Sequence, residues 1–206
     1  MRVRKHANPF NFPRELPKLQ MDKIFKDNSA PLHLEIGFAQ GEFLLGMATK
    51  NTKQNFLGIE VRKPLVEKLQ ESIISNNLSN IAAIYASSNV NIDILPDHSI
   101  EKIYIFFPDP WFKKKHFKRR IITPVFLETI QFKLKDNCHI LFQTDVKSLY
   151  LDTLESINNN ANYKVNYTQE EAVNVNETGI TSYFELRCQQ KKWPIYRINF
   201  VYNSID

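Results

Sequence analysis

A chain of 206 residues with 43% hydrophobic content and only 5 glycines can bury a full core, which excludes collagen-like, low-complexity and disordered chains. A net charge of +5 fits an anionic partner, while two cysteines without a CxxC pair and five histidines without ligand spacing argue against a disulfide scaffold and a metal site. No apolar run nears the ~20 residues of a membrane helix and no apolar signal segment opens the chain, so a cytoplasmic protein without membrane contact is expected.

In chain order, residues 1–14 carry Arg2, Arg4, Lys5 and His6, then Pro9 and Pro13, and read as a mobile basic arm. A short amphipathic helix is expected over 16–25 and a loop over 26–31. LHLEIG (32–37) is a buried strand, and a helix opens after Gly41 and runs over 42–49. Residues 55–61 form a second strand. Pro64 suits a first helical position, and Leu65, Val66, Leu69 and Ile73 recur at helical spacing through 64–76. A third strand covers 81–86, a helical turn 92–95, and a fourth strand 102–107. Thr123-Pro124 reads as cap and first turn of a helix whose apolar face is Phe126, Leu127, Ile130 and Leu134. A fifth strand (138–144) precedes a helix capped by Asp145 and running to about 157. Strands at 163–168 and 193–202 close the chain with no helix expected between them, which makes the last pair antiparallel. The alternation gives a single doubly wound α/β domain over 1–206, with a seven-stranded, mostly parallel sheet and an antiparallel last strand.

In such a sheet the ligand sits outside the carboxyl ends of the strands. Those ends carry Glu35 and Gly37, then Glu60, Ser87 and Asn89, Asp109, and Asp145. In the first loop Gly37 permits a tight turn, and Gly41 permits close approach of backbone to ligand. The GxGxxG fingerprint and the P-loop Lys are absent, and a carboxylate, Glu35, stands where a pyrophosphate would be repelled. Glu60, 25 residues on, can accept both ribose hydroxyls. An acid suited to a cationic tail, another suited to ribose and no phosphate cradle together describe S-adenosylmethionine.

The fourth strand runs into Pro108-Asp109-Pro110-Trp111, where two prolines hold one aspartate on a stiff turn. Six of the eight residues from Lys113 to Arg120 are Lys or Arg, the others being His116 and Phe117. A fixed carboxylate beside a dense basic run suits work on a polyanion. Trp111 reads as packing under the turn.

EIGFAQGEF, FLGIEVR, FPDPWFKKKHFKRR and FQTDV resemble successive motifs of the bacterial tRNA (guanine-N7-)-methyltransferase family over about 30–200. The resemblance implies a Rossmann-like class I methyltransferase that uses S-adenosylmethionine to methylate N7 of a guanosine in the tRNA variable loop (position 46), as a monomer or homodimer. It implies cofactor contacts at Glu35, Gly37, Gly41, Glu60, Ser87, Asn89 and Asp109, with Asp109 central to catalysis. It further implies substrate contacts at Lys113, Lys115, His116, Lys118, Arg119, Arg120, Asp145, Thr181, Ser182 and Glu185. The sequence departs from the family at the adenine contact near the end of the third strand, where Ser87 and Asn89 compete for the role. It departs again at the late T-x-x-E motif, which aligns on Ser182 and Glu185. Guanine N7 carries a lone pair and no proton, so such an enzyme needs position and electrostatics more than a general base. The competing readings are a methyltransferase acting on DNA or protein, and a tRNA-binding scaffold without turnover. A dehydrogenase lacks its phosphate-binding glycines.

Overall fold

The structure, a computed structural model, describes residues 7–169 and 178–204. Among these residues seven strands are formed: β1 (Leu32–Ile36), β2 (Asn55–Glu60), β3 (Ile81–Tyr85), β4 (Ile100–Phe106), β5 (Leu134–Thr144), β6 (Tyr163–Gln169) and β7 (Tyr196–Tyr202). They lie in the order β3-β2-β1-β4-β5-β7-β6. All neighbours are parallel except that β7 runs antiparallel to both β5 and β6. The chain winds outward from β1 in both directions, so the gap between the carboxyl ends of β1 and β4 is the switch point where a ligand belongs.

Among the described residues six α-helices cover the sheet: α1 (Met21–Ile24), α2 (Glu42–Lys50), α3 (Lys63–Ser75), α4 (Pro124–Ile130), α5 (Lys147–Asn158) and α6 (Tyr183–Lys191). Strands β1, β2 and β7 are buried along their whole length, and each face of the sheet builds its own core. On one, Leu34, Ile36, Leu57, Ile103 and Phe142 pack against Leu127 and Ile130 of α4 and Leu149 and Tyr150 of α5. On the other, Phe56, Tyr104, Phe106 and Leu141 pack against Phe43 and Leu44 of α2, Leu69 of α3 and Cys188 of α6. No described helix is long and apolar enough to cross a membrane.

Several elements differ from expectation. The helix expected over 16–25 shrinks to Met21–Ile24. Pro17 breaks it, and Leu19 N donates instead to Ile94 O at 2.8 Å, tying an extended segment to the core. Strand β5 starts at Leu134, four residues early, because Leu134 pairs with Ile100 before the register shifts. The N-cap of α5 is Val146 rather than Asp145, and Val146 N donates to Thr144 Oγ1 at 3.2 Å. Helix α6 was not expected at all. Thr123 caps α4 as expected, accepting from Phe126 N at 3.2 Å.

Of the basic arm, residues 1–6 lie outside the described residues. From Ala7 on it touches the domain at three points: Pro9 is buried, the Phe12 ring lies tilted against Tyr85 at 4.9 Å, and Asn91 Nδ2 donates to Pro13 O at 2.7 Å.

Candidate active site

A cleft of about 970 Å³ opens at the switch point, lined by the loop after β1, the ends of β2 and β4, the basic loop and α6. Glu35, the penultimate residue of β1, is 3% exposed. Its Oε2 has no hydrogen-bond partner among the described residues. Burial, then the charges of Glu60 and Glu42, push its carboxyl up to about 8 from 4.5. A buried acid with a vacant acceptor suits a cationic group placed against it.

Glu60 closes β2, and its carboxylate is fully engaged. Oε2 accepts from Ala39 N at 3.1 Å and Arg62 Nη2 at 2.8 Å, and Oε1 from Arg62 N at 3.1 Å and Nε at 3.0 Å. The two glycines differ from their expected roles. Gly37, at φ 77°, lines the cleft, and a Cβ there would meet nothing within 4 Å, so the open space for a ligand lies at Gly37. Gly41, at φ 83°, is buried, and its Cβ would lie 2.8 Å from Leu69 Cδ1. The close approach that Gly41 permits is to α3, not to ligand. Past β3, Asn89 lines the cleft with Ser88, while Ser87 is fully buried behind them with its backbone N donating to Asn91 Oδ1 at 3.1 Å.

The Asp109 turn is stiffer than its prolines alone require. Phe107 (φ 51°) and Trp111 (φ 44°) flank it in the left-handed region, which costs a bulky residue about 1–3 kcal/mol each. Packing offsets that cost. Phe107 is 3% exposed and its N donates to Gln143 O at 2.7 Å. Trp111 is buried edge-on to His116 at 5.7 Å, with the Arg119 guanidinium 4.9 Å from its ring. Trp111 thus packs under the turn, as expected, and Asp109 is presented to the cleft.

The basic run winds into a 3₁₀ turn over Lys114–Arg119. Lys113, Lys115 and Lys118 point to solvent. Arg119 turns toward the cleft, with a buried Nε that has no hydrogen-bond partner among the described residues. The ring of His116 is held below the ordinary imidazole pKa by desolvation and by the charges of Arg119, Lys115 and Lys113. Arg120 turns the other way. It is 4% exposed, donates from Nε to Pro110 O at 2.8 Å, pairs with Asp152 of α5, and sits 3.7 Å from the Phe117 ring.

Helix α6 supplies the far wall. Ser182 Oγ accepts from Glu185 N at 3.3 Å, and the Ser182 backbone donates back to the Glu185 carboxylate, a reciprocal capping box. Glu185 is 1% exposed and accepts from Arg197 Nη2 of β7 at 2.8 Å. Burial raises its carboxyl above the usual range against the opposing pull of Arg197.

A methyltransferase family model, described as "Putative methyltransferase", matches residues 29–198. The chain is 32% identical to the tRNA (guanine-N(7)-)-methyltransferase of Prochlorococcus marinus (strain NATL2A), over 98% of both chains. It is 40% identical to the protein of that name from Thermosynechococcus vestitus, over 71% of this chain and 70% of that one. The chain belongs to the tRNA (guanine-N7-)-methyltransferase family. Solved structures share its fold: a 16S rRNA methyltransferase superposes with TM-score 0.66 at 11% identity, covering 89% of this chain and 91% of the other. An antibiotic-related methyltransferase superposes with TM-score 0.64 at 16% identity, covering 90% and 96%. Its cofactor is S-adenosylmethionine, and the vacant Glu35 oxygen and the open space over Gly37 fit that group.

Measured against a tRNA (guanine-N7-)-methyltransferase, the cleft gathers Gly37, Glu60, Asn89, Asp109 and Arg119 along its lining, with Glu35 buried near the end of β1, two residues before Gly37. Asp145 follows β5, one strand further out, and is not part of that lining. Thr181 is exposed at the start of α6, while Ser182 and Glu185 build the helix end and its ion pair. Phe184 and Arg187 of α6, with Trp193 beyond it, reach the cleft in their place. These three and Arg62 escaped the sequence reading. The signal that could have found α6 was Ser182-x-x-Glu185, a capping box in its own right.

Proposed function

We propose that this protein transfers the methyl group of S-adenosylmethionine to N7 of a guanosine in the tRNA variable loop, at position 46, with Asp109 as the central acid. The observation that carries the reading is Asp109 itself: a carboxylate held between two prolines and two left-handed aromatic residues, in one cleft with Glu60 and beside the exposed lysines of 113–118.

S-adenosylmethionine supplies an electrophilic methyl group on a sulfonium. Glu35 would hold its cationic tail, Glu60 would accept the ribose hydroxyls and Asn89 would meet the adenine edge. Guanine offers N1–H and a 2-amino group as donors, and the Asp109 carboxylate accepts from them while offsetting the positive charge that N7 alkylation puts on the ring. No proton leaves in the bond-forming step, so fixed position and charge are what the chain must supply. Phe184 and Trp193 give the base an apolar wall. Lys113, Lys115, Lys118 and Arg119 hold phosphates and set register, and Asp145 and Thr181 meet the RNA outside the cleft. Arg120, Ser182 and Glu185 serve by holding the loop and helix that carry those residues. The reading keeps the protein with its tRNA in the cytoplasm.

The test is incubation with labelled S-adenosylmethionine and unmodified tRNA, followed by chemical cleavage at N7-methylguanosine. A single cleavage in the variable loop is expected. Tight tRNA binding with no label transferred would contradict the reading.

A further inference from the structure

A carboxylate has about four acceptor positions, and Glu60 has four donors on it. Two are backbone N–H groups, of Ala39 and Arg62, and belong to the fold. The other two are Nε and Nη2 of the Arg62 side chain. That side chain is 43% exposed, against 2% for Glu60. Two ribose hydroxyls therefore need the two positions that the guanidinium occupies. Without them the fork does useful service, since it keeps a buried carboxylate paired. Arg62 sits just before α3 and lines the cleft with Asp109, Arg119 and Arg187. Once off Glu60, its guanidinium stays tethered in the same cleft, within reach of the Asp109 charge.

We propose that Arg62 is a positioning residue that couples the two ligands: the cofactor ribose displaces its guanidinium from Glu60, and the released cation joins Arg119 and Arg187 in holding RNA phosphate. Cofactor binding thereby completes the RNA site, and by linkage RNA tightens the cofactor by the same factor. The inference rests on the reading of Glu60 as the ribose acceptor.

Calorimetry with S-adenosylhomocysteine and salt titrations of tRNA binding test it, on the full chain and on Arg62→Ala, Arg62→Lys and Glu60→Gln. In Arg62→Ala, S-adenosylhomocysteine should bind at least about threefold tighter, because its hydroxyls no longer compete with a charged donor pair. In the wild type, saturating S-adenosylhomocysteine should steepen the log–log salt slope of tRNA binding by about one unit, one added phosphate contact. Arg62→Ala should lose that increment. Arg62→Lys breaks the fork but keeps a cation, so it should tighten the cofactor and retain part of the increment. A merely structural Arg62 would move neither the increment nor the cofactor affinity. Weaker S-adenosylhomocysteine binding in Arg62→Ala, or equal wild-type slopes with and without it, would overturn the coupling. Wild-type affinity in Glu60→Gln would instead remove Glu60 from the ribose site, and the coupling would fall with that reading.

Discussion

The cleft has an acidic wall and a basic rim, and they use charge in opposite ways. On the wall, Glu35 and Glu60 are 3% and 2% exposed, so each meets few partners and meets them in fixed geometry. On the rim, Lys113, Lys115 and Lys118 stand in solvent, where a charge is screened and tolerant of position. A small cationic nucleoside needs the first kind of site and a long polyanion the second. Sign alone does not sort residues between the two. Arg120 belongs to the basic run by sequence and Glu185 to a substrate motif, yet both are buried in ion pairs and behave like the wall.

The largest effect should come from breaking the pair that was expected on the rim. Glu185→Ala leaves Arg197 buried and uncompensated, and should cost about 3–5 kcal/mol of stability by denaturant unfolding. A variant that unfolds like the wild type but loses methyl transfer would return Glu185 to the substrate site. Next is the residue between the two regions. Asp109→Asn keeps the shape, removes the charge and turns a donor toward guanine's donors. Its single-turnover methyl-transfer rate should fall at least about a hundredfold, the size of one lost electrostatic partner. tRNA affinity should change far less, because phosphates dominate it.

These distinctions were unevenly legible in the sequence. Apolar runs and Pro or Gly punctuation were enough for seven strands, their mostly parallel order and the gathering of Glu35, Glu60 and Asp109 at one sheet edge. They failed for α6, whose inward positions include a glutamate, Glu185, while Leu186 faces solvent. The basic run could not reveal which cation turns inward, because that depends on Asp152 of α5 and the carbonyl of Pro110. The glycine roles were exchanged because Leu69, far along the chain, decides what Gly41 makes room for.

A smaller effect sharpens the account of the acidic wall. Glu35 is raised to about 8 from 4.5, so between those values the native cofactor-free protein binds more protons than the unfolded chain. Its stability should therefore fall as pH rises through that window, and Glu35→Gln should flatten the decline. A cationic tail favours the ionised acid, so cofactor binding at pH 7 should release up to about one proton. Calorimetry in buffers of different ionisation enthalpy reads this directly, and Glu35→Gln should lose it. The rim is read by its salt dependence. Replacing Lys113, Lys115 and Lys118 with Ala should lower the salt slope of tRNA binding by about one unit per lost phosphate contact and leave cofactor affinity unmoved. An unchanged slope would turn the loop away from the RNA.

The central claim is that position and fixed charge suffice for transfer to N7, with no proton removed. It is tested most directly by the wild-type single-turnover methyl-transfer rate as a function of pH, with cofactor and tRNA both saturating so that Glu35 is already ionised against its ligand. The rate should be nearly flat between pH ~6.5 and ~8.5, because N7 has no proton to lose. A rate that climbs tenfold per pH unit across that range would show a required deprotonation and contradict it.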